Sequence, residues 1–292
     1  MKDKIYISVP VNVARNTILE MKKNCPDAEV FNSSQRFYQD DLLFLDRIKN
    51  GDLDDVPDLL VTIRPEIQWA LHALKELNRF DTQFRYPVRD GLTDNPLFDD
   101  TWLLKPLYVM PLVMFCGEDL EEPPTSWRDL LSERFRGRVI TTDSATPPAA
   151  LARQLFVHLF GSEGERFITD HLAYRGLPID VNKAVSSKEY AVGVMPLSFA
   201  AFSKNNSTQV CWPAEGALPL TQVMLIKNDA GEACLNAARH LVSLGMQQTF
   251  SDGASFLPVH PEVPLPKAYL DNGATLFWQG WQDFLAMGVR AS

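Results

Sequence analysis

The feature that most constrains this chain is its rhythm. Short apolar segments alternate with stretches of helical period along most of its length. Ile5–Val9, Ala28–Phe31 and Asp58–Thr62 read as strands, the first ended by Pro10 and the third by Ile63-Arg64-Pro65. Between and after them, Val13–Lys23, Asp41–Lys49 and Glu66–Leu77 carry the spacing of helices, the second closed by Asn50-Gly51. Such alternation predicts an α/β fold with a mostly parallel sheet covered on both faces.

After a stretch without clear period at 81–105, the rhythm resumes. Leu107–Phe115, Gly137–Thr141, Ala191–Met195, Val210–Trp212 and Leu220–Ile226 are predicted strands. Ser126–Leu131, Ala149–Phe160, Glu163–Leu172, Gly231–Leu244 and Ala274–Met287 are predicted helices, with Thr125 or Ser126 as the cap of the first. The aromatic stripe Phe277, Trp278, Trp281 and Phe284 in the last one is expected to pack in a core. With 292 residues and 46% hydrophobic content, the chain can bury two cores without a disulfide or a structural metal.

Charge narrows the function classes. A formal net charge of -9 repels nucleic acid, and no basic patch interleaved with aromatics offsets it. Cys25, Cys116, Cys211 and Cys234 share no C-x-x-C spacing, so they read as buried apolar side chains, with one long-range disulfide open if the chain is exported. The five histidines form no metal cluster, and neither a metal nor another cofactor is expected. No G-x-S-x-G, G-x-G-x-x-G, P-loop or H-E-x-x-H pattern occurs. The basic residues of the N-terminus are followed by a strand-like alternation rather than the apolar run of a leader. Two locations stay open: cytoplasmic, or periplasmic or extracellular if a leader has been removed. No apolar stretch reaches the ~18–20 residues that span a bilayer, so the chain is peripheral to a membrane at most.

In open α/β sheets, ligands gather beyond the carboxyl ends of strands. That rule selects Ser8, Ser33, Ser34, Arg64, Thr142, Asp143, Ser144, Thr146, Ser198 and Trp212, with Glu215 beside the last. Arg64 offers a bidentate fork for a carboxylate, phosphate or phosphonate. Thr142–Thr146 runs into a long helix whose N-terminal amides favour negative charge, and the hydroxyls add donors. The structural alternative there is that Asp143 or Ser144 caps the helix. Ser33 and Ser34 bind or simply make a turn. Trp212 stacks on an organic ligand or closes its lobe. Glu215 reads as a loop charge.

From residue 106 onward the sequence resembles the type II periplasmic solute-binding proteins of ABC importers, in the subgroup that serves ferric iron, polyamines and oxyanions or phosphonates. Three segments carry the resemblance. The first is Pro123-Pro-Thr-Ser-Trp-Arg-Asp-Leu-Leu-Ser-Glu-Arg-Phe-Arg-Gly-Arg-Val139. The second is Ala191-Val-Gly-Val-Met-Pro196 with Val210-Cys-Trp-Pro-Ala-Glu-Gly-Ala217. The third joins Val223–Ala230, Ala237–Ser243, Gln247-Gln248 and Phe256-Leu-Pro-Val259. The first hundred residues match only in outline.

The resemblance implies a two-lobed fold with a central cleft and two crossing hinge strands. Lobe 1 would comprise 1–107 plus 222–292 and lobe 2 would comprise 110–218, with the hinge near 107–110 and 219–222. Solute would sit between the lobes and be trapped by closure. Ferric-iron members use adjacent tyrosines in the second lobe, where this chain has Pro196-Leu-Ser-Phe-Ala-Ala-Phe202. Polyamine members want several cleft carboxylates with aromatic walls, of which Asp143, Glu215 and Trp212 supply little. By elimination a small polar, anionic solute, either an oxyanion or phosphonate or an organic acid, is the expected ligand, and an importer permease the expected partner. Two alternatives remain: a cytoplasmic ligand-sensing domain acting through a partner protein, and an enzyme on the same fold with a cleft cysteine, Cys116 or Cys211.

Overall fold

The computed structural model describes residues 2–32, 39–89, 99, 101–200, 207–273 and 275–289. The chain opens with β1 (Lys4–Ile7), α1 (Val11–Asn24), β2 (Glu29–Asn32), α2 (Gln39–Lys49), β3 (Leu59–Thr62), α3 (Pro65–Trp69) and α4 (Leu71–Leu77). β4 (Lys105–Gly117) leads to 3-10 turns at Trp127–Leu131 and Glu133–Phe135. Next come β5 (Val139–Thr141), α5 (Pro147–Phe160), α6 (Ser162–Asp170), β6 (Leu172–Tyr174), α7 (Pro178–Ser186), β7 (Val192–Pro196), α8 (Leu197–Ala200) and β8 (Thr208–Cys211). The chain returns through β9 (Leu218–Ile226), α9 (Glu232–Leu241), α10 (Leu244–Ala254), β10 (Leu257–Pro258), α11 (Lys267–Asp271) and α12 (Trp281–Val289).

Two compact units result. Unit 1 holds Met1–Val109, Thr221–Leu265 and Gln279–Val289, and unit 2 holds Met110–Leu220 and Pro266–Trp278. The strands β4 and β9 each run from one unit into the other. The family layout assigns all of 222–292 to lobe 1, but Pro266–Trp278 packs in unit 2. Ala217 N donates to Thr275 O at 3.1 Å and Phe277 N to Ala217 O at 2.8 Å, tying that segment down as extended chain. The same pairing shortens the predicted helix 274–287, which begins only at Trp281, after Gly280 with φ +101°.

Unit 1 is built on the parallel run β2-β1-β3, with β9 added antiparallel to β3. Every residue of β3 is buried, as expected of a strand covered on both faces. Tyr6, Leu45, Ile48, Leu60, Ile67 and Leu74 belong to one apolar cluster there, and each such side chain contributes about 1.5–3 kcal/mol through burial. Gln247 locks the return crossing. Its amide donates to Leu107 O (2.9 Å) and Leu241 O (3.1 Å), and its oxygen accepts from Val259 N (2.9 Å). Ser243 caps α10 by accepting from Met246 N. These are the serine and glutamine on which the resemblance rests.

In unit 2, β5 pairs parallel with β6 and β7, while β4 runs antiparallel to β7 and β8. The expected mostly parallel sheet is thus mixed, because the two long crossing strands reverse direction against their neighbours. Gly193 on β7 lies under the Phe115 ring, and a Cβ there would come within 2.0 Å of it. Trp127 fills the unit's core, donating through Nε1 to Gly216 O at 3.1 Å. Strand β6 and helix α7 have no clear period in the sequence. The helix signal is Pro178 at the first turn, with Asp180 accepting from Leu177 N at 3.0 Å.

Candidate functional site

In unit 1, polar groups collect beyond the carboxyl ends of β1 and β3. Ser8 follows β1 and is fully buried, its backbone N–H donating to Val61 O at 2.9 Å. Arg64 follows β3 and is 1% exposed. Its guanidinium lies 3.3 Å from Glu66 Oε1, and its backbone N–H donates to Thr62 Oγ1 at 3.1 Å. A buried arginine stays charged, so it draws carboxylates to itself.

The group that the sequence reading missed is Asp41, in the first turn of α2 and fully buried. Its carboxylate accepts from Tyr6 OH at 2.5 Å and from Thr62 Oγ1 at 2.5 Å. Burial pushes its pKa up to about 6, against the opposing pull of those hydroxyls, of Ser8 and of the Arg64 charge. Ser8 Oγ lies outside strict hydrogen-bonding geometry to any described group, so its effect on Asp41 is a weak polar contact. In the sequence Asp41 looks like an ordinary acidic residue opening a helix. Only the closure of β1 and β3 against α2 reveals it.

Behind Ser8, Gln222 Nε2 donates to the Ser8 carbonyl at 2.9 Å, and Tyr108 OH donates to Gln222 Oε1 at 3.1 Å. Gln68 Nε2 donates to Thr221 O at 3.0 Å. These bonds fix the backbone around Ser8 and Arg64. Ser33 and Ser34 lie outside the described residues.

In unit 2 the predicted segment follows β5. Thr142 and Thr146 are buried, whereas Asp143 and Ser144 are exposed. The two threonine hydroxyls meet at 2.6 Å, and Thr146 Oγ1 donates to Asp143 O at 2.7 Å. A hydroxyl has one hydrogen, so Thr142 must be the donor to Thr146, and both hydrogens are taken. Neither Asp143 nor Ser144 caps α5. The cap position is Thr146, whose side chain makes no capping bond to the helix, and Asp143 Oδ1 accepts instead from Ala145 N at 2.9 Å. The first two residues of α5 are Pro147 and Pro148, which have no N–H. The expected cradle of helix-end amides therefore begins only at Ala149, and its hydroxyls are already engaged within their own turn.

Ser198, in α8 after β7, differs. It is 4% exposed, and its hydroxyl has no hydrogen-bond partner among the described residues. Trp212 holds its own lobe together: Nε1 donates to Thr275 O at 3.1 Å and Oγ1 at 3.0 Å, the ring meets Tyr269 edge-on at 5.6 Å, and Gly273 (φ +108°) lies against it. Glu215 accepts from Trp127 N at 3.2 Å. Cys116 and Cys211 are both buried and face each other, so neither presents the exposed thiolate that a cleft nucleophile needs. No group of three His, Cys, Asp or Glu side chains suited to a metal occurs among the described residues. No described helix is long and apolar enough to cross a membrane.

Comparison with known proteins gives these features a context. The family of bacterial extracellular solute-binding proteins matches residues 54–286. No curated protein sequence matches the chain. Among solved structures, a ferric binding protein from Campylobacter jejuni superposes with a TM-score of 0.77 at 15% identity, covering 99% of this chain and 96% of the other. The apo ferric ion-binding protein A of Pasteurella haemolytica gives 0.75 at 11% identity, covering 99% and 95%. A periplasmic thiamin binding protein gives 0.71 at 14% identity, again covering 99% and 95%. At such identities these structures speak for the fold, which is the α/β periplasmic-binding-protein-like type II fold. A family match over most of its length shows that the chain belongs to the bacterial extracellular solute-binding proteins.

Proposed function

We propose that this protein captures a small polar solute, either an oxyanion or phosphonate or an organic acid, and hands it to the permease of an ABC-type importer without covalent chemistry. The observation that carries this reading is Arg64, a permanent cation buried at the carboxyl end of a strand beside Ser8. Thr142, Asp143, Ser144 and Thr146 contribute shape more than donors. Ser198 contributes an open hydroxyl. Trp212 braces its lobe. Service to an importer places the protein in the periplasm or outside the cell. Recovery from the cytosol on fractionation would favour the sensing-domain alternative.

A cationic solute is the second reading, and a charge count favours it. Asp41 and Glu66 set two carboxyl groups against one guanidinium. With Asp41 protonated the trio is neutral, and with Asp41 ionised it carries one negative charge. The structural neighbours named for ferric ion and for thiamin point the same way. Native mass spectrometry of gently purified protein, followed by denaturing release, separates the two. A retained anion or organic acid supports the first reading. A retained metal or organic cation replaces it with the second. If nothing is retained and a broad panel of solutes leaves the melting temperature unchanged, both readings fall.

A further inference from the structure

Two thiols stand against each other in unit 2, and neither belongs to the proposed solute site. Cys116 on β4 and Cys211 on β8 lie on one face of an antiparallel pair, with Cys116 opposite Gln209 and Cys211 opposite Met114. They are diagonal neighbours, and strand twist brings one diagonal of such a pair close. Their sulfurs are 3.3 Å apart, and both residues are buried. A disulfide places its sulfurs about 2.05 Å apart, so roughly 1.2 Å of approach completes the bond. Side-chain rotation can supply that distance.

We propose that Cys116 and Cys211 form a structural disulfide when the chain folds in an oxidising compartment. The oxidant is a disulfide-bearing thiol compound, such as oxidised glutathione or an exchange protein. One cysteine thiolate attacks the oxidant's disulfide, forming a mixed disulfide and releasing one reduced thiol. The second cysteine thiolate attacks the first cysteine's sulfur and expels the other reduced thiol. The two cysteines lose two protons and two electrons, and the oxidant's disulfide gains both as two thiols.

Burial sets the order of events. In the folded unit an oxidant cannot reach sulfurs this enclosed, so exchange takes place before β8 docks on β4, and docking then seals the bond. The hydrogen bond from Cys211 holds the Cys116 thiol below its ordinary range and pushes the Cys211 thiol far above it. Cys25 and Cys234 have no such relation. Burial raises both, most strongly for Cys234, where Asp3 and Asp58 add to it. The bond would join residues 95 positions apart, a loop long enough to remove substantial entropy from the unfolded chain. It would also anchor β8, whose one described strand neighbour is β4.

The test does not depend on which solute is bound. The full chain is refolded in a glutathione redox buffer, unfolded in denaturant with an alkylating agent, and mapped by peptide mass spectrometry. Alkylated Cys25 and Cys234, together with Cys116 and Cys211 peptides joined until reductant is added, are expected. Four alkylated cysteines, or linkage of any other pair, overturn the proposal. A Cys25→Ser/Cys234→Ser variant should keep the bond. Wild-type protein refolded throughout in reductant should melt several degrees lower than protein refolded in the redox buffer. If Cys116→Ala or Cys211→Ala variants fold poorly, the wild-type peptide map still decides.

Discussion

Two strand ends in this chain carry polar side chains, and they hold them in opposite ways. Around the end of β3 in unit 1, buried Arg64 meets the partly buried Glu66 and the buried carboxyl group of Asp41 from α2. Beyond β5 in unit 2, Thr142 and Thr146 hold their hydrogens inside a turn that is complete by itself. The difference teaches that residue type alone does not make a binding group. A hydroxyl needs one acceptor, which a nearby carbonyl supplies. A buried guanidinium has five N–H donors and a permanent charge, so it is matched by carboxylates such as Glu66 rather than by the backbone of its own turn.

The largest test of this contrast exchanges Arg64 for methionine and, separately, Thr142 for valine. Arg64→Met leaves Asp41 and Glu66 without their cation and should cost about 3–5 kcal/mol of unfolding free energy. An anionic solute should lose about a hundredfold or more in affinity. Thr142→Val removes one internal hydrogen bond, worth about 1 kcal/mol, and should change affinity far less. Urea unfolding and titration calorimetry give both numbers. Equal losses from the two variants would erase the distinction between the strand ends.

A second test uses pH. Asp41 titrates near 6 in the folded protein and at its ordinary 3.8 when unfolded. Between those values the folded state binds more protons. The stability that Asp41 contributes is therefore complete below about pH 3.8 and is lost as pH rises through about 6. The swing is on the order of 2–3 kcal/mol. Asp41→Asn keeps an acceptor for one of the two hydroxyls of Tyr6 and Thr62 and cannot titrate. Its unfolding free energy, followed by urea melts from pH 4 to 8, should lack this component. An identical pH profile in variant and wild type would show that Asp41 is not the titrating group.

The sequence made the alternation of strands and helices legible because burial on both faces leaves dense runs such as Leu59–Thr62 and Val192–Pro196. It led to Arg64 through the rule of strand ends, and the structure then buried it. What it could not show was direction and pairing. The antiparallel course of β4 and β9 depends on partners far away in the chain, so a mostly parallel sheet was expected. Asp41 was invisible for the same reason, since its hydroxyl donors come from residues 6 and 62. The turn after β5 was ambiguous in another way. Thr142, Asp143 and Ser144 before a helix suggest an anion cradle or a cap, and the adjacent Pro147 and Pro148 remove two of the helix-end donors. Trp212 offered two roles, stacking on a ligand or closing its lobe, and its N–H goes to Thr275.

The smallest effect has the sharpest sign. Ser198 is buried with its hydroxyl unpaired among the described residues. Such a group carries a desolvation cost in the empty protein, and that cost is recovered only if a solute bonds it. Ser198→Ala should therefore leave the empty protein unchanged or up to about 1 kcal/mol more stable. The same substitution should weaken solute binding by about tenfold, the loss of one hydrogen bond. Thr146→Val should behave the other way, lowering stability through its broken bond to Asp143 O while leaving affinity nearly intact. Paired thermal melts and titrations of the two variants read both quantities. If Ser198→Ala destabilises the empty protein and spares affinity, Ser198 is a structural hydroxyl like Thr146, and the buried hydroxyls that follow β5 and β7 serve the fold alone.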